Sequence, residues 1–366
     1  MAGSDETMAN SEAGIRRPLR AAMRCAVLVA LCVATMAGGE AAGAQRGAAG
    51  KGAALPAVLS PLGAEEEAVA LLDEARRGWT VDLEVYELGN PDVIHALEAA
   101  KRRGGAVRVV LCPTERESEQ SAPALAAAGV AVRTLRVEGG IDHVKLLVVS
   151  GPGVGRRSAG GGVVLFGGVN FGRTSRWTSD LDVAEDGAWV KEAEALFDAD
   201  WAAAGGRGSP AVGRYGAFAS GGGAIEASLA GALGWAEAQR RASCDVVANY
   251  LTDYRVQDAL VTAAHDGVAL GVVVNPEAYG AEAARRWLER HGVGVLDAPV
   301  DPYLHAKVLV CATARSAVAV VGSANFSYDA MHMNHELDAT LTGRIAEAVW
   351  RWAERVVAEA RRSSAR

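Results

Sequence analysis

Lysine is nearly absent from this chain. Its 366 residues hold five lysines against thirty-two arginines. Arginine therefore carries the generic surface charge, and a lysine at a defined place suggests a site that wants a compact ammonium rather than a planar fork. Aromatic residues make up only 5% of the chain, and the net charge is −7. Binding of nucleic acid rests on cationic groups along phosphate and on rings under the bases, and this composition leans away from both. Cysteine is sparse too. Beyond the N-terminal segment only Cys112, Cys244 and Cys311 remain. They sit in or beside apolar runs and read as buried free thiols with at most one disulfide among them, which excludes a disulfide scaffold. No Cys/His spacing or acidic cluster along the sequence builds a metal site. The glycines at 160–162 are not followed by Lys-Ser/Thr, so they make no phosphate loop.

Long apolar runs are missing as well. The N-terminal one covers residues 25–36, behind Arg16, Arg17, Arg20 and Arg24. It is short for a membrane span, and Ala42-Gly43-Ala44 follows it. Residues 1–44 therefore read as a signal peptide, with an uncleaved membrane anchor as the alternative, and the protein is expected to be exported to the periplasm or beyond the cell.

Two copies of one pattern stand out against this background. His143-Val144-Lys145 leads through an apolar run to Gly167-Gly168-Val169-Asn170, and His305-Ala306-Lys307 leads to Gly322-Ser323-Ala324-Asn325. Random placement of seven histidines and five lysines gives well under one His-x-Lys triplet. Each triplet opens a run that reads as a buried strand, so its His and Lys project from one face. An acid follows each Asn: Asp180 after ten residues, Glu336 after eleven. A carboxylate beside an imidazole fixes its tautomer and raises its basicity. Two imidazoles, two ammonium groups and two amides suit a phosphodiester. One His attacks phosphorus, the other protonates the leaving oxygen, and Lys145, Lys307, Asn170, Asn325 and Ser323 hold the substrate oxygens. This chemistry requires no metal or other cofactor.

These residues resemble the phospholipase D superfamily over roughly residues 64–356. Its signature is His-x-Lys, four residues, Asp, then Gly-Ser/Gly-x-Asn. The strands at 81–86 and 245–250, the helix and strand at 96–111, and Phe197-Asp198-Ala199-Asp200-Trp201 are similar to that family as well. One position departs from it: Ser150 and Ala312 stand where the family carries Asp. The resemblance implies a phospho-histidine intermediate, with His143 as the nucleophile and His305 as the acid. It also implies an α/β fold of two tandem pseudo-symmetric lobes, each a mixed sheet flanked by helices, with the active site at their interface.

Spacing supports the duplication. His143 and His305 lie 162 residues apart, as do Gly105 and Gly267, and Tyr86 and Tyr250 lie 164 apart. The expected organisation is a flexible lead-in at 45–60, a first lobe at 61–205, a linker at 206–221 and a second lobe at 222–366. A single chain holds both motifs, so a monomer with two lobes is expected. His332 and His335 read equally as pocket rim or structure, and Trp177 and Tyr303 as packing between lobes, with contact to a lipid or a base as the alternative. The expected substrate is a phospholipid head group, approached at a membrane surface. The alternatives are an exported nuclease, a non-catalytic member that keeps the fold, and a cardiolipin-synthase-like transferase.

Overall fold

Both faces of the central strands are covered, which is why the sequence shows them as unbroken apolar runs rather than alternating ones. The computed structural model describes residues 55–154 and 161–365. Seventeen strands are found there. β1 (Ala57–Leu59), β2 (Thr80–Val85), β3 (Ala106–Leu111), β4 (Ala131–Thr134), β5 (Lys145–Ser150), β6 (Gly162–Gly167), β7 (Thr178–Ser179) and β8 (Asp182–Glu185) belong to the first half. β9 (Gly213–Tyr215), β10 (Phe218–Ser220), β11 (Ser243–Ala248), β12 (Ala269–Val274), β13 (Val295–Asp297), β14 (Tyr303–Leu304), β15 (Lys307–Ala312), β16 (Ala317–Gly322) and β17 (Leu337–Thr342) follow. The helices are α1 (Pro61–Glu74), α2 (Pro91–Arg102), α3 (Arg116–Ala127), α4 (Ala188–Ala204), α5 (Gly222–Glu237), α6 (Tyr254–His265), α7 (Ala281–Arg290), α8 (Tyr328–His332) and α9 (Gly343–Ser364).

The first sheet runs β1-β8-β6-β5-β2-β3-β4 and the second β13-β12-β11-β15-β16-β17-β10-β9. Within each, a parallel trio (β2-β3-β4, β11-β12-β13) meets an antiparallel trio (β5-β6-β8, β15-β16-β17). The fold is thus mixed α/β in two tandem lobes. The helices start where local chemistry allows. Asn90 caps α2 by accepting from the Asp92 and Val93 amides, and Asp253 caps α6 through Arg255 and Val256. Both helices end on a glycine with positive φ, Gly104 at +91° and Gly267 at +94°. Gly104, not Gly105, is therefore the structural counterpart of Gly267.

Outer faces pack on their own helices. Leu147 and Val149 of β5 join Leu72 and Leu97, whereas Leu309 and Cys311 of β15 join Leu229 and Leu260. Inner faces share one core: Leu146, Val148 and Phe166 are continuous with Val308, Val310 and Val321 through residues of α4 and α9. Phe166 meets Trp189 at 5.6 Å and Phe218 at 4.9 Å, which joins a first-sheet strand to a second-sheet strand through aromatic contact.

Three expectations change. Part of the lead-in is ordered, because β1 pairs with β8 along the first sheet's edge. The stretch 206–221 is more than a linker, because β10 pairs with β17 and β9 with β10. Cys244 and Cys311 are not free thiols. They face each other across β11 and β15 and are disulfide-bonded, which leaves Cys112 as the buried free cysteine among the described residues. The expected signal segment lies outside the described residues. Within them, no helix is long and apolar enough to cross a membrane.

Candidate active site between the lobes

Two short backbone crossings place the motif residues. β14 lies parallel to β7 with Leu304 opposite Ser179, and Asp142 bridges His335 in the same sense. The His305 amide donates to the Ser179 carbonyl at 2.9 Å, and the His143 amide donates to the His335 carbonyl at 2.9 Å. Each accepting carbonyl belongs to the residue just before an acid of the opposite lobe.

The side chains follow the same exchange. His143 Nδ1 lies 2.9 Å from Glu336 Oε2, and His305 Nδ1 lies 2.7 Å from Asp180 Oδ2. Each imidazole is thus oriented by a carboxylate from the other half, a pairing that the sequence leaves open. With Nδ1 engaged, Nε2 of His143 is left to attack or to transfer a proton, and Nε2 of His305 lies 3.2 Å from Lys307 Nζ. His143 is the more enclosed, with 8% of its side chain exposed against 20% for His305. The Tyr86 ring stands edge-on to His143 at 4.9 Å and faces Lys145 Nζ at 5.3 Å. Lys145 donates to the His143 carbonyl at 2.7 Å, and Lys307 donates to the His305 carbonyl and lies 3.8 Å from Asp180.

Burial and like charge set the proton affinities. Burial, with Lys145 and Lys307 adding repulsion, pushes His143 well below its ordinary range. Burial and then Lys307 push His305 down to about 4, although the Asp180 hydrogen bond works against them. Burial alone would raise Asp180, but Lys307 and the His305 bond outweigh it and hold the carboxyl below its usual range. That pair is therefore a neutral imidazole donating Nδ1–H to an ionised carboxylate. Burial lifts Glu336 to about 7 against the pull of Lys145, the Ser323 hydroxyl and Asn334. Burial also brings Lys145 down to about 7 and Lys307 to about 8.

Seven of the nine sequence candidates meet here in direct contact, the seventh being Ser323, whose hydroxyl donates to Glu336 Oε2 at 2.6 Å. The carbonyl oxygens of the Asn170 and Asn325 side chains are buried without a hydrogen-bond partner. Two further residues escape sequence reasoning. Asp182 accepts from the Val169 amide and Asp338 from the Ala324 amide, each at 3.0 Å, so these buried acids brace the two loops that carry Asn170 and Asn325. A repeated signal exists for them, since each lies two residues beyond a motif acid. The glycines of the motif serve this bracing. A Cβ on Gly322 would strike the Asp338 carboxylate, and one on Gly167 would strike that of Asp182.

The tempting bystanders separate. Trp177 does not pack between lobes; it is 68% exposed. Tyr303 is half-buried and its hydroxyl donates to Asn249 Oδ1 at 3.3 Å. His332 lies beside Asp253 and Glu226, whereas His335 is buried behind Glu336.

Fold and site define a two-lobed α/β protein with one doubled His-Lys-acid centre. The family described as cardiolipin synthase, PLD-like domain matches residues 69–201 and 236–357. The chain belongs to this phospholipase D-like family. No curated protein sequence matches it. Among solved structures it is similar to a polyphosphate kinase from Porphyromonas gingivalis, with a TM-score of 0.58, 20% identity and 76% of this chain covered. The match spans 43% of the kinase chain. It is also similar to a phosphatidylserine synthase from Haemophilus influenzae, with a TM-score of 0.56, 9% identity and coverage of 82% of this chain and 85% of that one. At these identities the likeness concerns the fold.

Proposed function

We propose that this protein is an exported, monomeric phosphodiesterase that removes or exchanges phospholipid head groups through a phospho-histidine. The observation that carries the reading is the reciprocal clasp of His143 by Glu336 and of His305 by Asp180. His143 Nε2 attacks phosphorus as the bond to the head-group oxygen breaks, and His305 gives that oxygen a proton. A phosphodiester anion between the two ammonium groups opposes their repulsion, which raises the proton affinity of His305 for this step. The same imidazole then takes a proton from water, or from an acceptor alcohol, whose oxygen attacks phosphorus and frees His143. Lys145, Lys307, Asn170 and Asn325 hold the non-bridging oxygens as charge builds.

Low aromatic content and net negative charge favour lipid over nucleic acid. The exposed Trp177, directly before the lobe-joining β7, supplies a ring for the membrane interface. The deciding experiment measures choline, ethanolamine and glycerol release from mixed phospholipid vesicles beside single-stranded DNA digestion. Release that vanishes in His143→Ala supports the proposal. DNA cleavage without lipid turnover replaces it with the nuclease reading.

A further inference from the structure

Behind the His143–Glu336 pair lies a second set of ionisable groups that the phosphodiester chemistry does not use. Glu84 of β2, Asp142 next to His143, Asp200 of α4 and His335 next to Glu336 converge there, and all are buried. Three belong to the first lobe and His335 to the second. One donor atom each of Glu84, Asp200 and His335 lies within 4.8 Å of the other two. His335 Nε2 stands 3.1 Å from Asp200 Oδ1, an ion-pair distance, and 3.9 Å from Glu84 Oε1. Glu84 is wholly enclosed, and neither of its carboxylate oxygens has a hydrogen-bond partner. Oδ2 of Asp142 and Oδ2 of Asp200 are unpartnered as well.

Buried carboxyl oxygens without partners beside one imidazole are polar groups held out of water, and a protein interior tolerates them only when something satisfies them. Donor atoms that share a cation at about 2.0–2.2 Å lie roughly 3–4.3 Å from one another. The two His335 distances fall in that span. A cavity of about 300 Å³ reaches buried Asp142 and, at its rim, exposed Glu138.

We propose that Glu84, Asp200 and His335 bind one divalent first-row cation, with Asp142 beside them, and that this ion pins the two lobes together behind the candidate nucleophile. Oxygen donors with a single imidazole suit Zn²⁺ or Mn²⁺. The His335 carbonyl accepts the His143 amide, so an ion on the His335 ring fixes the crossing that aims His143. Its role is positioning, and no step of the phosphodiester reaction passes through it.

The test uses the full chain, stripped with dipicolinate, desalted and reloaded with Zn²⁺ or Mn²⁺. Bound metal is counted by mass spectrometry and thermal unfolding is followed by circular dichroism; neither reading depends on turnover. One equivalent per chain is expected, with a midpoint several degrees above that of the stripped protein. Glu84→Gln keeps the side-chain shape and removes a charged ligand. It should unfold no earlier than wild type in chelator, yet bind the ion at least about tenfold more weakly and lose most of the metal-dependent midpoint gain. Asp200→Asn is the second variant and should behave alike. Absence of stoichiometric metal in wild type, or binding without any midpoint gain, overturns the proposal. So does binding and stabilisation left unchanged by both substitutions.

Discussion

Asp180 and Glu336 show at the residue scale what a one-dimensional pattern hides. Sequence spacing finds both acids, yet places each nearest the motif of its own half. The crossing of β7 with β14, and of Asp142 with His335, hands each acid to the other half's imidazole. Asp180→Asn keeps the shape but removes the charge that holds Nδ1–H of His305, so kcat should fall about 10²- to 10⁴-fold in steady-state assays with a smaller change in KM. Lysine charge sets an alkaline limit. With Lys145 near 7 and Lys307 near 8, kcat/KM should decline as pH rises through that range, while kcat persists to higher pH because bound phosphate keeps the ammonium groups charged. Stability responds on the acid side. Burial and Lys307 hold His305 down to about 4 against an ordinary 6.5, so between those values the unfolded chain binds the extra proton and the contribution of His305 to stability falls as pH drops. Differential scanning calorimetry from pH 7 to 4.5 should show the midpoint of His305→Gln gaining on that of wild type as pH falls, because the variant lacks this loss.

The strands β5 and β15 settle at the element scale what Ser150 and Ala312 mean. Each occupies the far end of a six-residue strand, roughly 16 Å along the chain from the motif lysine. Ser150 donates to Glu194 at 2.6 Å, and Ala312 is buried opposite Ser243. Neither reaches the reacting centre, so the missing family acid concerns the strand's end. Ala312→Asp should cost about 2–4 kcal/mol of stability through an unpaired buried carboxyl, with no gain in turnover; chemical denaturation beside a vesicle assay checks both. The long apolar strands were legible because burial on two faces writes a continuous run. β1, β9 and β10 were not. Three residues carry no period, and Gly/Ala-rich sequence around β1 and glycine around β9 and β10 look like loops until a sheet edge offers its unpaired amides.

The inner core governs the whole molecule. Phe166, Trp189 and Phe218 bind β6, α4 and β10 into one cluster, and the apolar layer runs unbroken from one sheet to the other. Unfolding of the two lobes should therefore be one calorimetric transition, with the van't Hoff and calorimetric enthalpies equal. Phe166→Ala should lower stability by about 3–5 kcal/mol without splitting that transition. Duplication was legible because two rare triplets repeat at fixed spacing. The disulfide and the buried Glu84 group were not, since their members come from distant positions and meet only when strands pair or helices dock.

The two halves also differ by one methylene. Short Asp180 sits against Gly168, which has no room for a side chain, whereas long Glu336 takes a hydrogen bond from the Ser323 hydroxyl. Gly168 and Asp180 are therefore not two independent letters, nor are Ser323 and Glu336. Each pair must mutate in step, because Gly168→Ser alone pushes into a carboxylate that Asp180→Glu alone would leave without its hydroxyl anchor. The two halves have ceased to be interchangeable, and the path back to symmetry crosses a valley that single substitutions deepen from either side.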